Sequence, residues 1–124
     1  MKKAILIVED SSTMRSLIAS TLEDMEDFDI TEVASGFEAL KALPGKAFDL
    51  IITDINMPDI NGLELVNFVK KHPNYKETPL MIVTTEKGTE DRKRGMSLGA
   101  DTYLTKPFEP EELQTAVTRL LKKK

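Results

Sequence analysis

Four short apolar runs in this chain end in residues able to handle a cation and a phosphoryl group. Ala4–Val8 ends in Glu9 and Asp10, and Leu50-Ile51-Ile52-Thr53 ends in Asp54. Leu80–Val83 ends in Thr84-Thr85, and Tyr103-Leu104-Thr105 ends in Lys106-Pro107. If the runs are parallel strands, these carboxylates, a hydroxyl and an ammonium meet at one edge of one sheet. Carboxylates side by side raise one another's pKa, and a phosphoryl donor is itself anionic. A Mg²⁺ ion answers both difficulties. It needs one or two protein carboxylates, keeps several waters and takes its other ligands from phosphate. Asp10 and Asp54 are the natural direct ligands; Glu9, one methylene longer, reaches the ion directly or through water. Lys106 offers fixed positive charge to one phosphate oxygen and Thr84 a hydroxyl to another. Asp54 needs no base to deprotonate it, so it can attack phosphorus and form an aspartyl phosphate.

The same residues also admit simpler roles. Acidic groups at strand ends can cap the helices that follow, and Asp54 can cap a turn. Capping accounts for neither Lys106 nor Thr84. The only histidine, His72, precedes Pro73 at a helix end and reads as a surface residue.

Gathering the site requires an alternating α/β chain, and the hydrophobic pattern supplies one. Ala4–Val8 reads as a buried strand. Met14, Leu17, Ile18, Leu22 and Met25 recur at helical spacing after it, with Ser11 or Ser12 as N-cap. Phe28–Ala34 is a weaker strand, and Ser35-Gly36 opens a short helix through Leu43, stopped by Pro44-Gly45. Phe48–Thr53 is a central strand, and Gly62 to about Lys71 a helix. Leu80–Thr84 and Thr102–Thr105 complete the strands. Between these two, Thr89–Leu98 is a charged helix with Gly95 in its middle, at about 1 kcal/mol against Ala. It reads as a solvated surface element or as a weakly held one that shifts with ligand state. Pro110-Glu111-Glu112 begins the last helix, which buries Leu113, Ala116, Val117, Leu120 and Leu121. Five βα units with right-handed crossovers make a doubly wound, five-stranded parallel sheet.

The chain of 124 residues has room for one core, so residues 1–124 read as one domain. A net charge of −4 argues against nucleic acid as the main partner. With no cysteine, thiolate metal sites and cysteine nucleophiles are excluded. No apolar stretch approaches the roughly 18 residues that cross a bilayer. The run after Lys2-Lys3 is too short for a signal-peptide core. A cytoplasmic protein with no membrane partner is expected.

The chain resembles the receiver domains of two-component response regulators over its whole length, and the stand-alone chemotaxis type in particular. Glu9-Asp10, the loop Asp54-Ile55-Asn56-Met57-Pro58-Asp59-Ile60-Asn61-Gly62, Thr84, Tyr103 and Lys106-Pro107-Phe108 carry the resemblance. It implies a flavodoxin-like sheet in the order 2-1-3-4-5 and Asp54 as phosphoacceptor for a histidine kinase. It implies Mg²⁺ bound by Asp10, Asp54 and the main-chain carbonyl of Asn56, with Glu9 in the acidic pair. Lys106 would contact the phosphoryl group, and the Lys106–Pro107 bond would be cis. Chemotaxis members usually have Asp where this chain has Glu9, which leaves open whether Glu9 binds the ion directly.

The same resemblance makes Thr84 and Tyr103 a switch. Thr84 swings to the phosphoryl group, and Tyr103 moves inward to fill the space behind it. The face made by Thr89–Leu98, the last strand and Leu113–Leu121 is then the output surface (α4-β5-α5). Asn56 and Glu86 tune dephosphorylation. The domain is expected to catalyse only its own phosphorylation and dephosphorylation, and to act on a flagellar motor switch or similar target. A relay intermediate serving a phosphotransfer protein, or a receiver cut from a larger regulator, are the alternatives. A haloacid-dehalogenase-type phosphatase is remote, since Asn56 stands where its second Asp is needed. Glu9-Asp10 would repel a flavodoxin's flavin phosphate.

Overall fold

The parallel arrangement is realised in a computed structural model, which describes residues 2–85 and 89–122. The strands are β1 (Ala4–Val8), β2 (Asp29–Val33), β3 (Leu50–Thr53), β4 (Leu80–Thr84) and β5 (Thr102–Thr105). They alternate with α1 (Ser12–Glu23), α2 (Gly36–Ala42), α3 (Gly62–Lys71), α4 (Thr89–Ser97) and α5 (Pro110–Lys122). One sheet runs β2-β1-β3-β4-β5 with every pair parallel, the expected order.

Period-two alternation in β1, β3 and β4 feeds two cores. Leu6, Val8, Ile51 and Ile82 pack towards Ala39 of α2 and Leu63, Val66 and Val69 of α3. Ile5, Ile7, Leu50, Ile52, Met81 and Val83 pack towards Ile18 and Leu22 of α1 and Leu113 and Val117 of α5. None of these ten strand residues is more than 1% exposed. Each contributes about 1.5–3 kcal/mol by burial, which is why near-continuous apolar runs suffice to define central strands.

Two strands are shorter than their apolar runs. Phe28 and Phe48 are buried in the cores but precede the ladders. Asp49 folds back instead, its N–H donating to the Ala4 carbonyl and its Oδ2 accepting the Ala4 N–H at 2.8 Å.

Of the two candidate serines, Ser11 caps α1, its Oγ accepting the Met14 N–H at 3.2 Å. Asn61 and Glu64 form a reciprocal capping box at the start of α3. The β3–α3 loop is tied to α2 as well. Asp59 accepts the Gly36 N–H at 3.1 Å and the Phe37 N–H at 2.9 Å. These main-chain donors, Phe37 foremost, hold the Asp59 carboxyl at about 2.

Gly95 corrects the view of α4 as merely weakened by a glycine. A Cβ there would lie 2.6 Å from Ile82 Cδ1 and 3.7 Å from Tyr103 Cδ2. The missing side chain lets the helix lie directly on β4 and β5. Met96 is 40% exposed and contributes little to holding the helix.

At the N-terminal edge of the sheet, Lys70 Nζ donates to the Thr78 carbonyl at 2.6 Å and to Asp101 Oδ2 at 3.0 Å. The same Oδ2 accepts the Leu80 N–H at 2.9 Å. His72 ends α3 near this edge and stacks on Tyr75 (ring centroids 4.4 Å apart), half-buried and remote from the strand-end carboxylates. Among the described residues, no helix is long and apolar enough to cross a membrane.

Candidate functional site

Each key residue is the first position beyond a strand and is fixed by the ladder's continuation. Glu9 N–H donates to the Val33 carbonyl, Asp54 N–H to Val8 and Lys106 N–H to Thr84. Parallel register therefore sets three side chains from β1, β3 and β5 into one cleft. Ligand atoms of Glu9, Asp10 and Asp54 lie within 4.8 Å of one another.

Lys106 Nζ bridges two of them, 2.6 Å from Glu9 Oε1 and 3.0 Å from Asp54 Oδ2. All three partners are buried: Glu9 is 2% exposed, Asp54 8% and Lys106 8%. Asp10 is exposed. The other oxygen of Asp54, Oδ1, accepts the Ile55 N–H at 2.6 Å and the Asn56 N–H at 3.4 Å. Burial alone would lower the lysine's pKa; hydrogen bonds to Glu9 and Asp54 and their charges outweigh it and raise it. Burial pushes the Glu9 carboxyl up, against the opposing hydrogen bonds from Lys106 and Ser11.

Three carboxylates face one ammonium, so the cluster carries excess negative charge. Two like charges at this separation repel by roughly 3 kcal/mol at an effective dielectric near 20. The donors are all hard oxygens, with neither sulfur nor imidazole among them. That chemistry fits Mg²⁺ rather than Zn²⁺, and exposed Asp10 leaves the ion room to keep its waters.

The other expected residues fall as follows. Thr84 ends β4 fully buried, and its carbonyl accepts the Lys106 N–H at 2.8 Å. Lys106–Pro107 is cis, as the resemblance implies. Asn56 is exposed in the loop after Asp54. Glu86 lies outside the described residues. Tyr103 is 6% exposed and packs in the core with Leu63 and Ile82, the guanidinium of Arg92 lying 5.6 Å over its ring.

Two positioning residues were not singled out from sequence. Arg15, one turn into α1, donates from Nη1 to the Glu9 carbonyl at 2.8 Å. A Cβ at Gly62 would stand 2.0 Å from the Asp54 carbonyl oxygen, so only glycine lets α3 start against Asp54. A basic residue one turn beyond an acidic pair, and a glycine directly after an N-cap, are the signals that could have found them.

A parallel sheet in this order, with its charge gathered at the carboxyl ends of the strands, defines a ligand-binding α/β domain of the flavodoxin-like class. Within that class the chain belongs to the response regulator receiver domain family, which it matches over residues 5–118. It is 40% identical over 111 residues to the chemotaxis protein CheY1 of Helicobacter pylori, covering 89% of this chain and 90% of that one. Over 118 residues it is 38% identical to a CheY homolog of Campylobacter jejuni, covering 94% and 91%. Its structure is similar to that of the chemotaxis response regulator CheY4 of Vibrio cholerae. There the TM-score is 0.89 at 37% identity, with 97% of this chain and 99% of that one covered.

Proposed function

We propose that this receiver domain is a phosphorylation switch whose acceptor is Asp54. A carboxylate oxygen of Asp54 attacks phosphorus of a kinase phosphohistidine; the P–O bond forms as the P–N bond breaks, and the imidazole leaves and regains a proton. Asp10, Asp54 and the Asn56 carbonyl would hold Mg²⁺, which when bound supplies charge neutralisation for the incoming phosphoryl group. Ile55 and Asn56 N–H groups orient the carboxylate, and Lys106 is already in hydrogen-bond reach of it. Thr84 supplies a hydroxyl to the phosphoryl group from the end of β4. The domain turns over only its own phosphoryl group, and residues 1–124 act as one unit.

The observation that carries the reading is the Asp54–Lys106 contact inside a cleft with excess carboxylate. Intact mass after treatment with acetyl phosphate and Mg²⁺ tests it. A phosphoryl adduct is expected in the wild type and absent with EDTA or in Asp54→Asn. A persistent adduct in the mutant would move the acceptor elsewhere.

The output surface in this reading is the face of α4, β5 and α5. A cleft of about 600 Å³ lies there, lined in part by Arg92, Met96, Tyr103, Leu104 and Arg119. A protein target in chemotaxis, such as a flagellar motor switch component, fits the relatives best. Tyr103→Ala should keep the adduct and weaken capture of that target. Selective capture of a phosphotransfer protein by the phosphoryl-mimic form would favour the relay role instead.

A further inference from the structure

We propose that the groove between α3 and α4 is a docking site for an acidic segment of a partner protein. It is a cleft of about 350 Å³ lined by Leu63, Glu64, Asn67 and Lys71 of α3, Arg94 of α4 and Leu98 just beyond it. Helical spacing sets Glu64, Asn67 and Lys71 along one face of α3. Gly95 lets the two helices lie close, since a Cβ there would stand 3.6 Å from Leu63 Cδ2. Buried Leu63 and half-buried Leu98 thus give the groove an apolar floor. It shares no lining residue with the cleft over Tyr103. Nor does it depend on Asp54 accepting a phosphoryl group, so the two readings stand or fall separately.

The demand for a donor comes from Asn67. Its Oδ1 is buried and has no hydrogen-bond partner, the one such side-chain atom among the described residues. An acceptor left in that state weakens the fold, and an apolar residue would serve packing better. The residue as a whole is half-buried, and its terminal torsion is soft. A small rotation therefore brings the oxygen to the groove, where a peptide N–H can reach it. Charge narrows the class further. Lys71 and Arg94 are exposed, and among the described residues neither is in an ion pair. The carboxylate of Glu64 is committed to the cap of α3, its Oε1 accepting the Asn61 N–H at 3.4 Å. Two uncommitted cations make this groove locally positive on a chain of net charge −4. Carboxylates flanking an apolar side chain, on a backbone whose N–H meets Asn67, complement cations, floor and acceptor together.

The test titrates the full, unmodified chain with an acetylated, amidated pentapeptide of four glutamates around a central leucine, followed by amide chemical shifts. A Kd on the order of 1 mM is expected for so short a probe, with saturating shifts at Leu63, Asn67 and Leu98. The analogue with glutamine for each glutamate keeps every N–H and should bind at least about tenfold more weakly. Arg94→Ala and Lys71→Ala, both at exposed positions, should each raise the Kd about fivefold, and added salt should raise it in the wild type. Asn67→Leu should raise the Kd about fivefold and at the same time raise the folding equilibrium constant about fivefold, because the unpaired oxygen is gone. Should leucine not be accommodated, Asn67→Ala removes the same oxygen and should show the same loss of affinity.

Weaker binding in the Asn67 variant of a more stable protein would support a site kept for a ligand rather than for packing. Absence of saturating shifts, or shifts centred on Arg92, Met96 and Tyr103, would overturn the inference. So would equal binding of the glutamine analogue, or inorganic phosphate producing the same shifts at the same concentration, which would make the groove a general anion site. Unchanged affinity in both Asn67 variants would remove the acceptor and the proposal with it.

Discussion

Lys70 and Lys106 sit at opposite edges of the same sheet, each held by carboxylate, and the two edges balance charge differently. At the N-terminal edge, Lys70 meets Asp101 and main-chain carbonyls, and Asp101 also accepts the Leu80 N–H. One cation faces one anion, and the remaining donors and acceptors are neutral. At the C-terminal edge, Lys106 bridges Glu9 and Asp54 with Asp10 alongside, so anions outnumber the cation. The first arrangement is finished and holds α3 to β4 and β5. The second carries an excess of negative charge that an added cation would offset. Local charge imbalance, more than the mere presence of buried ions, separates a structural pair from a working site.

The comparison predicts opposite responses to perturbation. Largest is the response to metal. Mg²⁺ at about a hundredfold over its Kd should stabilise the wild type by about 2.7 kcal/mol in urea melts. Asp54→Asn should lose most of that gain and Asp101→Ala none of it; equal gains in all three would erase the distinction. Next, Asp101→Ala should cost about 2 kcal/mol with or without Mg²⁺, since it strands the Lys70 ammonium and the Leu80 N–H. Third, Asp10→Asn should stabilise metal-free protein by about 0.5–1 kcal/mol through relief of repulsion, at the expense of Mg²⁺ binding. A loss of metal-free stability there would break the comparison outright.

The smallest effect separates a third kind of carboxylate. Asp59 is held at about 2, below its ordinary 3.8, by main-chain donors, so its contribution is present above pH 4 and fades as pH falls towards 2. Asp59→Ala should flatten that acid limb of the stability curve and leave the response to Mg²⁺ unchanged. An unaltered limb would show that the α2 cap contributes nothing to acid stability.

Fold and cleft were legible in the sequence to different depths. β1 and β4 coincide with their apolar runs because every residue in them is buried. β3 and β2 do not, because Phe28 and Phe48 are apolar for packing while their main chains lie outside the ladders, and hydrophobicity does not register that difference. Glu9, Asp10, Asp54 and Lys106 could be assembled from strand ends because parallel register converts sequence position into one edge. The Glu9–Lys106 bond could not, since it depends on side-chain reach across residues far apart in the chain. Gly95 was read as a propensity cost when its role is a contact with Ile82, something propensity does not encode. Arg15 was hidden by belonging to an ordinary amphipathic helix.

Gly62 and Asp59 together have a dynamical consequence. The Gly62 N–H closes the β3–α3 loop on the Ile55 carbonyl at 2.7 Å, and Asp59 fastens its middle to α2. A segment pinned at its end and centre has little room for large-amplitude fast motion. Backbone amide order parameters over residues 55–61 should therefore sit near the roughly 0.85 of regular structure rather than below the 0.6 of mobile loops. On the picosecond-to-nanosecond scale, Asp54 would then be flanked by a loop that moves like a helix.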